Sequence, residues 1–173
     1  AKDLIEVSGE HWTLLHWVKQ LPDDYALKRP EIAVFYSWSL VFSRQHDEAR
    51  NLLEMLDTYY EQQKTHIAPK ELRQFRSQID LNMCMVEIGS DNTERSSDLV
   101  KKWLAIHPND DPRYVLTAYV FQAYTALSTF ETDLGTAAAD KAVAIGEEYG
   151  VDYLEAWARS VAGLLKMQRA DLD

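Results

Sequence analysis

Apolar residues along this chain are gathered into eight segments, which short polar turns separate from one another. The turns are rich in Pro, Gly, Asp and Asn. Each segment is about ten to twenty residues long, the usual length of a helix in a globular protein. We therefore predict an all-α chain without strands and with about eight helices, at residues 9–21, 30–43, 46–62, 69–88, 92–106, 112–130, 134–149 and 152–168.

The predicted helices are of two kinds, and the two kinds alternate. Segments 31–42 and 114–127 are apolar nearly all round, so a folded protein must cover most of their surface. Segments 48–60, 96–106 and 137–149 are amphipathic, with one apolar stripe and one charged side. An alternation of inner and outer helices predicts a stack of antiparallel helical hairpins.

A short internal repeat supports the hairpin arrangement. A small residue follows a polar turn in each amphipathic segment, and larger residues stand four and seven positions further on. The three sets are Ala49, Leu53 and Leu56; Ser96, Val100 and Trp103; Ala138, Ala142 and Ile145. Their offsets of 47 and 42 residues suit an elongated tetratricopeptide (TPR) repeat, whose standard period is about 34. We predict a TPR-like right-handed superhelix forming one domain over 1–173; a plain compact bundle is the alternative.

Several helix ends carry capping residues. Asp91 and Asp152 each precede a Glu by three positions, which is the capping-box pattern. Asp111 stands before Pro112, a cap followed by proline at the first helical position. Gly150 is the predicted C-cap of the helix at 134–149.

The chain of 173 residues has a formal net charge of −10, which disfavours partners that are themselves negatively charged. A nucleic-acid-binding protein normally carries a basic patch, and the longest basic run here is Lys101-Lys102. We expect no direct contact with nucleic acid and no docking on a membrane. No apolar run reaches the ~20 residues of a membrane span, and the single cysteine, Cys84, allows no disulfide framework. We predict a cytoplasmic protein.

Candidate catalytic and metal-binding residues are few. His11 and His16 are five positions apart, whereas one helical face brings together residues three or four apart. Cys84 lies in an apolar run without a nearby cation to lower its pKa. Asp110 and Asp111 suit a helix cap better than acid–base catalysis. We expect no enzyme activity, no metal and no cofactor.

Two stretches of the chain resemble a known family. Residues 17–53 include Trp17-Val-Lys-Gln-Leu-Pro22 and His46-Asp-Glu-Ala-Arg-Asn-Leu-Leu53, and residues 107–143 begin His107-Pro-Asn-Asp-Asp-Pro112. Together they resemble the helical-repeat domain of the large ATP-dependent, MalT-like transcriptional regulators of the LuxR class. The resemblance implies a sensor or interaction domain that takes an inducer or a regulatory protein. The alternative is a generic protein-interaction scaffold without a small-molecule ligand.

The family's other parts are not found in this sequence. It contains no phosphate-binding Gly-x-x-x-x-Gly-Lys-Ser/Thr loop and no basic helix-turn-helix segment. The resemblance therefore covers the sensor part alone, and we expect the chain to be a piece of a larger multidomain regulator.

The repeat register places one face of each inner helix along a concave groove, which we expect to be apolar and to bind the ligand or partner. The groove positions are Val34, Trp38, Val41 and Phe42; Gln78, Leu81, Met85 and Ile88; and Val120, Ala123, Leu127 and Phe130. If the register is off by one or two positions, these residues belong to the core instead.

The two ends of the chain lack the polar capping units that solenoids need. The helix predicted at 152–168 should leave an apolar flank uncovered, and self-association through such uncapped ends is a possible mode of assembly.

Overall fold

Eight helices account for most of the residues that the structure, a computed structural model, describes: 5, 9–22, 25 and 28–169. They are α1 His11–Val18, α2 Pro30–Phe42, α3 His46–Gln63, α4 Pro69–Gly89, α5 Thr93–Ile106, α6 Pro112–Thr129, α7 Thr132–Tyr149 and α8 Asp152–Arg169. No strand occurs within the described residues. The prediction of an all-α chain with about eight helices is therefore confirmed.

The largest difference from the predicted bounds is at the end of α1, which stops at Val18 and not at residue 21. The amides of Gln20 and Leu21 bond three residues back, to Trp17 and Val18, which tightens the chain into turns. Pro22 disfavours the helical conformation of the residue before it, so the helix cannot run on to the proline.

One turn geometry recurs before every second helix. In each case a residue with a left-handed backbone, φ between 59° and 64°, precedes a residue with ψ of 58° or 59°, and the helix then begins. The left-handed residues are Gly9, Arg44, Asp91 and Phe130, and the helices that follow are α1, α3, α5 and α7. We call this the αL turn. Three of the other four helices begin at a proline, namely Pro30, Pro69 and Pro112, and the fourth, α8, begins two residues after a further left-handed residue, Gly150.

The αL turn corrects the predicted register of the third repeat. The fourth residue of α3 is Ala49 and that of α5 is Ser96, as expected, but that of α7 is Gly135 and not Ala138. Gly135, Ala138 and Ala142 are all buried, because residues three or four apart share one face of a helix. The burial pattern alone therefore could not distinguish the two registers.

The predicted caps have mixed outcomes. Asp111 Oδ1 accepts a hydrogen bond from the Arg113 amide at 3.1 Å, and Gly150 adopts φ 65° with its amide 2.9 Å from the Gly146 carbonyl oxygen. Both of these caps are confirmed. The capping box at Asp91 is wrong, because Asp91 is the left-handed residue of an αL turn and the residue next to the helix is Asn92.

The packing of the helices divides the chain into two compact units, Ala1–Ser90 (unit 1) and Asp91–Asp173 (unit 2). In unit 1, α2 packs against α1, α3 and α4, and α3 also packs against α4. Helix α2 is covered on most sides, as its composition predicts. Asn82 Nδ2 donates to the Val34 carbonyl oxygen and to Ser37 Oγ of this helix, both at 2.9 Å, whereas Trp38 Nε1 is buried without a hydrogen-bond partner among the described residues.

In unit 2, α6 packs against α5, α7 and α8, and α7 also packs against α8. The buried face of α7 is made of very small residues: Gly135, Ala138, Ala139, Ala142 and Gly146. A Cβ added at Gly146 would lie 2.6 Å from the Glu155 Cβ of α8, so the two backbones approach too closely there for a larger residue.

The buried stripe of α8 consists of Leu154, Ala158, Val161 and Leu165. Its outer surface includes Leu164 and Met167, which are 43% and 63% exposed. The outer surface is therefore mixed, because Arg159, Ser160 and Lys166 share it with these two side chains, and the predicted apolar flank is limited to Leu164 and Met167.

Candidate functional site

A cleft of about 480 Å³ opens in unit 1 beside α1, α2 and α3. Its lining comes from the end of α1 and the turn after it, from the middle of α2 and from the first half of α3. The lining residues are Val18, Lys19, Leu21, Pro22, Tyr36, Leu40, Glu48, Asn51, Leu52 and Met55. We call it the α1–α3 cleft.

The floor of the cleft is apolar and belongs to the core of unit 1. Val18, Leu40 and Leu52 are all buried. Leu21 and Met55 form more open parts of the wall, and Met55 is 50% exposed. The turn that follows the early end of α1 also lines the cleft, through Lys19, Leu21 and Pro22.

Polar groups stand around this floor. The Tyr36 hydroxyl donates to Glu48 Oε1 at 3.3 Å, and Lys19 Nζ donates to Gln45 Oε1 at 3.1 Å. Burial raises the pKa of Tyr36 to about 12, and the negative charge of Glu48 acts in the same direction. Tyr36 therefore remains a neutral hydrogen-bonding group at physiological pH. Asn51 adds an amide that both donates and accepts.

The combination of apolar and polar groups is compatible with ligand binding. Ligand sites are typically about 300–1,000 Å³ and combine apolar surface with placed polar groups; the α1–α3 cleft falls within this range of volume and combines both kinds of group. A cleft of this kind offers an apolar contact surface and hydrogen bonds that fix the orientation of a bound molecule.

The predicted groove residues of unit 1 occupy other positions. Val34 and Trp38 of α2, and Gln78, Leu81 and Met85 of α4, are buried in the unit. Phe42 is 40% exposed, and its ring stacks on that of His11 with centroids 4.1 Å apart. The remaining predicted groove positions of unit 1 are Val41, which is buried, and Ile88, which is half-buried. None of these residues lines the α1–α3 cleft.

The predicted groove residues of unit 2 differ in how far they are exposed to solvent. Val120 and Ala123 are buried, and Leu127 is half-buried with its carbonyl oxygen accepting from Gln168 Nε2 at 3.0 Å. Phe130 is 77% exposed, at the left-handed position of an αL turn. Whether Leu127 and Phe130 contact a partner stays a prediction.

The cleft residues of α2 lie two positions from the predicted ones. Tyr36 and Leu40 line the cleft, whereas Val34 and Trp38 were expected to line the groove. The available signal was Tyr36 itself, because its hydroxyl needs a polar surrounding within a helix that is otherwise apolar. Pro22 was a second signal, since it disfavours a helix up to that residue and itself lines the cleft.

Other kinds of site are not evident in the residues that the structure describes. No group of three or more His, Cys, Asp or Glu side chains there is placed to hold a metal ion. No helix in the described part of the chain has the length and apolar character needed to cross a membrane. Comparisons with protein-family models, with curated proteins and with solved structures found no match.

Proposed function

We propose that this chain is the sensor part of a MalT-like regulator of the LuxR class, built as a TPR-like right-handed superhelix, and that the α1–α3 cleft binds its inducer. The observation that carries the proposal is the cleft itself, with an apolar floor at Leu40 and Leu52 and polar groups at Tyr36, Glu48 and Asn51. Left-handed residues stand two positions before five of the helices and the other three begin at a proline, and this recurrence supports the repeat architecture.

The lining defines the kind of molecule that fits. The volume suits a small metabolite with an apolar body. Hydroxyl or amide groups on that body would pair with Tyr36, Glu48 and Asn51, and an acidic group would be attracted by Lys19. A ligand that prefers one arrangement of the helices around the cleft shifts the population towards it, which is how binding becomes a signal.

A generic protein-interaction scaffold is the second candidate, and one observation favours it. Trp12 and Trp17 of α1 are 72% and 56% exposed, and exposed tryptophans are enriched where proteins bind one another. On this reading the surface of α1 contacts another protein and the cleft receives no metabolite.

A blocking substitution tests the inducer site. In Met55→Arg, a long charged side chain is placed at the wall of the cleft; because Met55 is half exposed, we expect the fold to be kept. The matched control is Thr58→Arg, which makes the same change of charge at an exposed position of α3 outside the cleft. Binding is measured by tryptophan fluorescence and calorimetry with a panel of small metabolites.

We expect at least one metabolite to bind the original chain, with an affinity at least about tenfold weaker in Met55→Arg and unchanged in Thr58→Arg. A panel without any binder, or a binder unaffected by Met55→Arg, would contradict the inducer site. If a Trp12→Ala/Trp17→Ala variant then loses a protein partner that Met55→Arg retains, the scaffold function is favoured.

A further inference from the structure

A second concave surface lies in unit 2, between α7 and α8, and has a volume of about 340 Å³. Four residues of each helix line it: Asp140, Val143, Ala144 and Glu147 from α7, and Arg159, Ala162, Gly163 and Lys166 from α8. We call it the α7–α8 groove. It shares no residue with the α1–α3 cleft.

The two walls of the groove have the same spacing and opposite charge. The α7 wall has an acid at each end and two small apolar residues between them, at relative positions 0, 3, 4 and 7. The α8 wall repeats this spacing with a base at each end and Ala162 and Gly163 between them. Such spacing places all four residues on one face of a helix. Each wall is therefore a small apolar floor between two like charges.

Charged groups in the groove remain open to a partner. Arg159 Nη2 bonds to Glu147 Oε1 at 2.6 Å and Arg159 Nε to Glu155 Oε1 at 2.7 Å; the side chains of Arg159 and Glu147 are more than half exposed, so these pairs contribute little to the fold. Asp140 and Lys166 are exposed and make no ion pair within the described residues. A Cβ added at Gly163 would meet no atom within 4 Å, so nothing in the described chain covers that part of the floor.

We propose that the α7–α8 groove binds a second copy of this chain, in a two-fold symmetric dimer. In a pair whose axis runs along the helices, α7 of one copy lies over α8 of the other, and the same contact occurs twice. The acidic wall then faces the basic wall in both halves. A second copy supplies both charge signs at the matching spacing, which is why it suits the groove better than a helix with charges of one sign.

The floor contributes to the same contact. Small residues at 143, 144, 162 and 163 let facing helices approach closely, towards the short end of the usual 8–10 Å separation. Met167 is largely exposed beside Lys166, and a facing helix would remove part of its apolar surface from water. Placing α7 over α7 instead would oppose like charges, so the charge pattern also selects the arrangement.

The dimer is tested with two charge-reversed variants of the full chain. In the first, Asp140→Lys and Glu147→Lys make both walls basic; in the second, Arg159→Glu and Lys166→Glu make both walls acidic. We expect the original chain to dimerise in sedimentation-velocity measurements and each variant to associate at least about tenfold more weakly. A 1:1 mixture of the variants should dimerise again, because a basic groove faces an acidic one in any register.

Controls on α5 separate the groove from the overall charge of the chain. Glu94→Lys with Asp98→Lys, and Lys101→Glu with Lys102→Glu, make the same changes of net charge at exposed positions outside the groove. These controls should leave dimerisation unchanged. A monomeric original chain at about 200 μM would overturn the proposal. So would a dimer insensitive to both variants, a mixture that stays monomeric, or controls that weaken the dimer equally.

Discussion

Single residues in unit 1 show how far burial departs from the hydrophobic pattern. Arg50 belongs to the charged side of an amphipathic helix, and the sequence predicts that it faces solvent. In the structure Arg50 Nη1 bonds to Glu87 Oε1 at 2.5 Å, and the Glu87 side chain is fully buried. A charge can be buried when its partner is within reach, but that partner lies on α4, 37 positions away. A pattern within one helix cannot reveal such a pairing.

His11 is the second buried polar residue that the pattern did not indicate. Its Nδ1 lies 3.3 Å from Ser39 Oγ, its ring stacks on Phe42, and its Nε2 is buried without a hydrogen-bond partner among the described residues. Burial lowers the pKa of His11 from 6.5 to about 4. The folded chain therefore holds a neutral imidazole at pH values where the unfolded chain binds a proton.

This pKa difference predicts a dependence of stability on pH. The contribution of His11 is fully present above pH 6.5 and is lost as the pH falls towards about 4, because only the unfolded chain gains the proton in that window. The loss is at most about 3 kcal/mol, and less where solvent screens the ring. Urea unfolding of His11→Phe at pH 7 and pH 4.5 should show a smaller acid destabilisation than the original chain.

The matched control for this measurement is His66→Phe, because His66 is exposed and lies outside the core. Its acid destabilisation should equal that of the original chain. If His11→Phe loses as much stability between pH 7 and pH 4.5 as the original does, His11 is not the group responsible.

At the scale of the helices, the sequence predicts most of the fold and little of the site. Helix bounds follow from local signals such as Pro69 and Pro112, which start a helix at the first position where proline is tolerated. The α1–α3 cleft depends instead on where α1 stops and on how α2 turns about its axis. Helix α2 is apolar on every side, so its pattern holds no information about which face meets the cleft. The predicted face was accordingly two positions away from Tyr36.

Two glycines of the hairpin formed by α7 and α8 should respond in opposite ways to alanine. Gly163 lies inside α8 with open space around it, so Gly163→Ala should raise the free energy of unfolding by about 0.5–1 kcal/mol through helix propensity. At Gly146 the new Cβ would lie 2.6 Å from the Glu155 Cβ and 3.2 Å from its Cα. Gly146→Ala should therefore lower the free energy of unfolding by about 1–3 kcal/mol.

Chemical denaturation of both variants checks this pair, with each serving as the control for the other. The prediction fails if the two substitutions change stability in the same direction, since helix propensity alone would favour alanine at both positions.

At the scale of the whole molecule, the chain was predicted as one domain, and its helices form two compact units. Each unit has a buried core of its own, around Leu53 and Leu56 in unit 1 and around Leu116 and Leu165 in unit 2. No signal in the sequence marks this division at Ser90, because the turn that follows it is the same αL turn that occurs within each unit.

Cys84 offers a direct measurement of unit 1. Burial raises the pKa of its thiol to about 12, and Asp80 and Glu87 act in the same direction, so the folded chain should resist thiol reagents at pH 8. Leu53→Ala removes a fully buried side chain of unit 1 and should cost about 2–5 kcal/mol. Labelling of Cys84 should then be at least about 30-fold faster, because it proceeds through opening of the unit.

Leu165→Ala is the matched substitution in the core of unit 2. It should leave the labelling rate of Cys84 within about twofold of the original, because Leu165 and Cys84 belong to different compact units. Equal acceleration by Leu53→Ala and Leu165→Ala would show instead that the two units unfold together.

The αL turn has a consequence for how further turns of its kind can be recognised. Its four left-handed positions carry Gly, Arg, Asp and Phe, side chains with no property in common, yet their backbones superimpose in torsion angle. The recurrence of these turns is therefore visible in the dihedral angles and not in the identity of the residues at those positions. A search for further turns of this kind should therefore compare torsion angles, because residue type at these positions gives no common signal.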